Sequence, residues 1–173
     1  MKKITLLSIS LLLLFTSCKD KTQNPEENTL SCVEYWAQIP FSDFCGLLES
    51  NFDFNTIPND ICNADQNSSY PYEDRVSIRV FNHFSESKAM EEYNSEKAYA
   101  SSLPGYSVEN NLGDGAFSII TTQFNELDFA TVQMVKGTFT VYLEINGNAS
   151  NGANNCFDEN SVIDFAKALV DPL

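Results

Sequence analysis

The sequence predicts an α+β domain, an antiparallel sheet with helices packed on it. Three observations predict it. Two segments alternate with strand periodicity: "DRVSIRVFNHF", from Asp74 to Phe84, and Thr138 to Ile145. Two others, Ser85 to Ser102 and Asn160 to Val170, carry helical spacing or helix-forming composition. No strand–helix–strand rhythm repeats along the 173 residues, as a parallel sheet would require.

Each element follows in order. Ser31 with Glu34 three residues on has the capping-box pattern and predicts a short helix through Tyr35 and Trp36. Pro40 suits the first position of a second helix, in which Phe41, Phe44, Cys45 and Leu48 share a face by the i, i+3, i+4, i+7 rule. That spacing predicts an inward-facing, structural Cys45. Asn51 to Asp60 reads as a loop, Ile61 and Cys62 as a strand, and "QNSSYPYED" as a second loop. Val76, Ile78 and Val80 then face one way, and Ser77, Arg79 and Phe81 the other. Ala89, Met90, Tyr93 and Lys97 lie along one side of the following helix, which Pro104-Gly105 ends. Strands at Ala116–Thr122, Phe129–Val135 and Thr138–Ile145 have short connections, which predicts an antiparallel meander. "NGNASNGANN" is a long polar loop before the last helix, whose apolar face includes Val162, Ile163, Phe165, Ala166, Leu169 and Val170.

The first residues carry a separate signal. Lys2 and Lys3 precede a run from Ile4 to Phe15 that is largely apolar, interrupted by Ser8 and Ser10, and shorter than the ~20 residues a membrane-spanning helix needs. A short apolar core behind a basic start is the pattern of an export signal. "LFTSC" places a small residue directly before Cys18. The whole resembles the lipobox of bacterial lipoproteins. The resemblance implies a diacylglyceryl group on the Cys18 thiol and cleavage before it. It also implies an acylated new amino terminus and attachment to a membrane through that lipid. Two or more acyl chains anchor stably where one does so marginally. The expected organisation is a signal peptide over 1–17, a flexible polar tether over 18–30 and a single domain over 31–173. The expected location is the bacterial cell envelope, at the outer membrane rather than the inner. Lys19-Asp20-Lys21 gives no clear sorting signal for a leaflet.

The remaining cysteines are Cys32, Cys45, Cys62 and Cys156. An even number in an oxidising compartment predicts two disulfides. Four cysteines allow three connectivities, and sequence alone does not choose. The favoured pairing is Cys45–Cys62, tying a helix to the next strand, with Cys32–Cys156 closing a long loop. No Cys-x-x-Cys pair and only one histidine are present, so the spacing does not suggest zinc. The formal charge of −14 argues against nucleic acid, whose phosphates demand a basic patch.

A second resemblance is carried by Cys45-Gly46-Leu47-Leu48, the second Cys62, the alternating strand, and Gly113-Asp114-Gly115-Ala116. The arrangement over residues 40 to 170 is similar to exported PsbP-like lipoproteins of largely unknown function. Two cysteines are usual there, so Cys32 and Cys156 depart from the pattern. The resemblance implies the α+β fold and a Cys45–Cys62 pair, and no activity.

No catalytic set stands out. His83 has no nucleophile placed beside it by sequence. "DFNTIPND" begins like a calcium loop and lacks its later ligands. No cofactor is called for. Tyr70 and Tyr72 flank Pro71 in a polar loop, where stiff aromatics suit contact with a partner or pack over the sheet edge. The expected function is a non-catalytic binding module for a protein, peptide or small ligand. The alternatives are a carboxylate-dependent hydrolase of envelope polymers and a structural subunit of an envelope complex.

Overall fold

A computed structural model describes residues 29–58 and 60–173. The signal peptide, Cys18 and nearly all of the tether lie outside the described residues. The elements run α1 (Cys32–Trp36), β1 (Phe52–Ile57), β2 (Ile61–Gln66), β3 (Arg75–Asn82), α2 (Glu86–Ala100), β4 (Tyr106–Glu109), β5 (Gly115–Gln123), β6 (Glu126–Lys136), β7 (Phe139–Asn146) and α3 (Glu159–Val170). All seven strands form one antiparallel sheet in the order β1-β2-β3-β7-β6-β5-β4. Two meanders, β1–β3 and β4–β7, therefore meet where β3 pairs with β7. The α+β class and the β5–β7 meander agree with the sequence.

Strand alternation gives the sheet two unlike faces. On the first, Val76, Ile78 and Val80 of β3 stand beside Val141, Leu143 and Ile145 of β7 and Val132 and Met134 of β6, all fully buried. α1 and α3 cover this face. Ser31 caps α1 by accepting the Glu34 amide, as its spacing predicts. Asp158 caps α3: its Oδ1 accepts the amides of Asn160 and Ser161, and the Ser161 hydroxyl accepts the Asp158 amide. Phe165 of α3 touches the rings of Phe44 at 4.7 Å, Phe157 at 5.1 Å and Phe41 at 6.2 Å. The second face carries α2, which rests on β6 and β7. Its small core is Ala89, Tyr93 and Ala100 against Phe117 and Val135.

Three expectations are corrected. The helix expected from Pro40 is only a 3₁₀ turn over Phe41–Asp43. Phe41 and Phe44 meet through Phe165, so tertiary ring packing satisfies a spacing that reads as helical. The chain then turns through Cys45 (φ 54°) and Gly46 (φ 71°). Cys45 is exposed, and it is Leu47 that is buried. Second, Phe52–Ile57 within the expected loop is the edge strand β1. Phe52 and Phe54 alternate there with Asp53 and Asn55, but the run is short and only Phe52 is buried.

Third, the disulfides are Cys32–Cys62 and Cys45–Cys156, not Cys45–Cys62 and Cys32–Cys156. Ring packing decides the second pair. Phe44 and Phe157 lie 6.3 Å apart over Phe165, which carries their neighbours Cys45 and Cys156 to a Cα separation of 5.7 Å. The start of α1 lies over β2, with 5.4 Å between the Cα atoms of Cys32 and Cys62. Both sulfurs of that bridge belong to buried residues.

Candidate functional site

Tyr70 and Tyr72 are both half-buried, with hydroxyls engaged. The Tyr70 ring meets Phe52 edge-on at 6.1 Å and Tyr72 at 5.7 Å. Its hydroxyl donates to Asp74 Oδ1 at 3.0 Å, while Asp74 Oδ2 accepts the amides of Cys156 (3.1 Å) and Phe157 (3.0 Å). Burial pushes the Asp74 carboxyl above the usual carboxylate range, against the pull of these donors. The Tyr72 hydroxyl donates to the Cys45 carbonyl at 2.6 Å. The two tyrosines thus tie the Cys45–Cys156 region to the sheet.

The polar residues left over from packing gather on the other face. Antiparallel register places Arg79 of β3 beside Tyr142 of β7, and Tyr142 beside Gln133 of β6. One rank along, Phe81 stands beside Thr140. These five side chains floor a cleft of ≈ 220 Å³, and Glu92 and Glu96 of α2 line it from above. A helix brings residues four apart onto one side, so both carboxylates belong to the same wall.

The groups have distinct chemical states. Burial raises the Tyr142 phenol above its ordinary range. Nearby Glu144 raises it further, while Thr131 and Arg79 act in the opposite sense. The phenol is therefore a neutral donor, and it donates a hydrogen bond to Glu144 Oε2 at 3.2 Å. Arg79 is exposed, and among the described residues it makes no ion pair within 4.0 Å; neither does Glu96. His83 stands just past β3 at one end of the cleft. Its Nε2 lies 2.9 Å from Thr140 Oγ1 and 3.1 Å from Glu92 Oε2, so it braces α2 against the sheet. No serine hydroxyl or cysteine thiol is its partner among these contacts.

α2 stands close to the sheet because β5 opens with Gly115. A Cβ there would lie 3.2 Å from the Tyr93 ring. Gly113, by contrast, has φ +57° in the turn just before β5, a conformation that favours glycine.

None of the cleft residues carried a motif. A signal was nonetheless present: Arg79 and Phe81 alternate with Ile78 and Val80, and Thr140 and Tyr142 alternate with Val141 and Leu143. That alternation names the second face without revealing that α2 roofs only part of it. Among the described residues no three His, Cys, Asp or Glu side chains gather as a metal site requires. No helix there is long and apolar enough to cross a membrane. No protein-family profile, curated protein or solved structure matches the chain.

Proposed function

We propose that the protein is a lipid-anchored, non-catalytic binding module of the bacterial cell envelope, held there through Cys18, and that a small polar ligand occupies the α2–sheet cleft. One observation carries the ligand reading: a roofed cleft lined by an amide, a phenol and a hydroxyl from adjacent strands, in which the Arg79 guanidinium has no ion pair among the described residues. Ligand sites commonly combine such a concave surface with a few placed polar groups. Binding is favoured over carboxylate-dependent hydrolysis because Glu92 and Glu96 share one wall. Glycoside hydrolysis needs two carboxyls flanking the scissile bond. His83 is engaged by Thr140 and Glu92. The envelope reading rests on the lipobox resemblance alone, because the Cys45–Cys62 pair that the PsbP-like resemblance implies is not the one formed.

Two measurements test the proposal in the full chain expressed in a bacterial host. Mass spectrometry of the membrane-bound protein should find an acylated Cys18 as its first residue, and an unmodified Cys18 overturns the anchor. A thermal-shift screen of small polar metabolites should yield hits that disappear in Arg79→Gln. Hits that all survive that change overturn the cleft as the site.

A further inference from the structure

Opposite charges line this cleft without closing on each other. Arg79 rises from the floor and Glu96 descends from α2. Each lacks an ion pair among the described residues. Glu92 is partly used by His83, which leaves Glu96 as the open carboxylate. The guanidinium has a planar fork suited to a carboxylate. Gln133 stands in the same rank and adds an amide.

The third feature is apolar. Phe81 lines the cleft, and its rank continues across the sheet through Ile61 of β2 to Ile57 of β1. Ile57 is 52% exposed, so the strip leads out of the cleft over an uncovered part of the sheet. The cleft is smaller than the roughly 300–1,000 Å³ of drug-sized pockets.

Resting on the reading of this cleft as a ligand site, we propose that it takes a zwitterionic α-amino acid with an apolar or aromatic side chain. The carboxylate lies on Arg79, the ammonium on Glu96, and the side chain along Phe81 toward Ile61. A purely anionic ligand would meet two glutamates and a chain of charge −14. A purely cationic one would meet Arg79. A neutral sugar would leave both charges unanswered.

Titration calorimetry on the full-length protein in detergent micelles tests this with four probes. L-Phenylalanine carries both charges, 3-phenylpropionate only the carboxylate, 2-phenylethylamine only the ammonium, and N-acetylglucosamine neither. The first should bind at least about tenfold more tightly than either single-charge analogue, as expected for losing a charge-assisted contact. Arg79→Gln should weaken L-phenylalanine by about the same factor and leave 2-phenylethylamine as tight or tighter, since a like charge is removed. Glu96→Gln should weaken L-phenylalanine and leave 3-phenylpropionate as tight or tighter, for the same reason. Unchanged melting temperatures establish that both variants fold. An analogue that matches L-phenylalanine, or L-phenylalanine binding indifferent to both substitutions, overturns the ligand class. Arg79-dependent binding of N-acetylglucosamine alone overturns the class and keeps the cleft. No binding by any probe overturns the class, and the metabolite screen then judges the cleft separately.

Discussion

On the α1/α3 face, Phe165 sits among three other phenylalanine rings and both disulfides close over the same side. On the opposite face, α2 meets the sheet through only three buried residues, Ala89, Tyr93 and Ala100. There Thr131, Gln133 and Thr140 are buried polar groups between strands. The difference separates two tasks. Apolar area and covalent closure stabilise the first face, where each buried large side chain contributes about 1.5–3 kcal/mol. The second is under-packed, and its leftover polar groups converge on a cleft. Recognition chemistry needs such groups, and a close-packed apolar core has no place for them.

This contrast breaks if substitutions on the braced face prove cheap. The largest effect should come from Cys45→Ser with Cys156→Ser. The pair closes a separation of 111 residues, and the chain-entropy account gives about 5 kcal/mol for a loop of that size. Urea unfolding reads it, and a loss below about 1 kcal/mol would mean that the Phe165 cluster holds the region alone. Exposure makes a second distinction. Mild reductant followed by alkylation and mass mapping should open Cys45–Cys156, where Cys45 is exposed, before the buried Cys32–Cys62. Phe165→Ala should follow at about 4 kcal/mol, the usual range for deleting a buried ring.

Asp158→Ala should cost about 1 kcal/mol, as for other helix caps. Its hydrogen bonds with Ser161 hold the carboxyl below the usual range. A lowered folded-state pKa contributes stability that is present above the unfolded value and lost as pH falls through the folded one. The gap between wild type and variant should therefore shrink in acid, and a gap that grows there contradicts the assignment. The smallest effect belongs to the cleft. Arg79→Gln should change stability by less than about 0.5 kcal/mol, because the side chain is exposed and without an ion pair among the described residues. A large loss would make Arg79 part of the scaffold and remove the contrast.

The legible parts of the fold were those whose burial alternates locally. Val76, Ile78 and Val80 announced β3, and Phe139, Val141, Leu143 and Ile145 announced β7. β1 is marked only by Phe52 and Phe54 alternating with Asp53 and Asn55, a run too short to separate a strand from a polar loop, and five of its six residues are exposed at the sheet edge. The four-residue β4, with no buried residue, escaped for the same reason. Of the cleft, the sequence placed Arg79 and Phe81 together on one strand face, but it did not connect them with Gln133, Tyr142 or the glutamates of α2. Those partners stand on other elements of the chain, and nothing in their spacing announces a meeting.

Local periodicity was enough to specify the α+β class and the helix cap at Ser31. Cysteine number was enough to expect two disulfides. It could not say which thiols meet. Pairing at separations of 30 and 111 residues depends on where α1 lands on β2 and where Phe44 and Phe157 stack over Phe165. The cleft is decided in the same way. Side-chain direction along a strand or helix repeats at a fixed short period and can be read from the chain. Contact between elements depends on how whole faces pack, and that exists only once the sheet has formed.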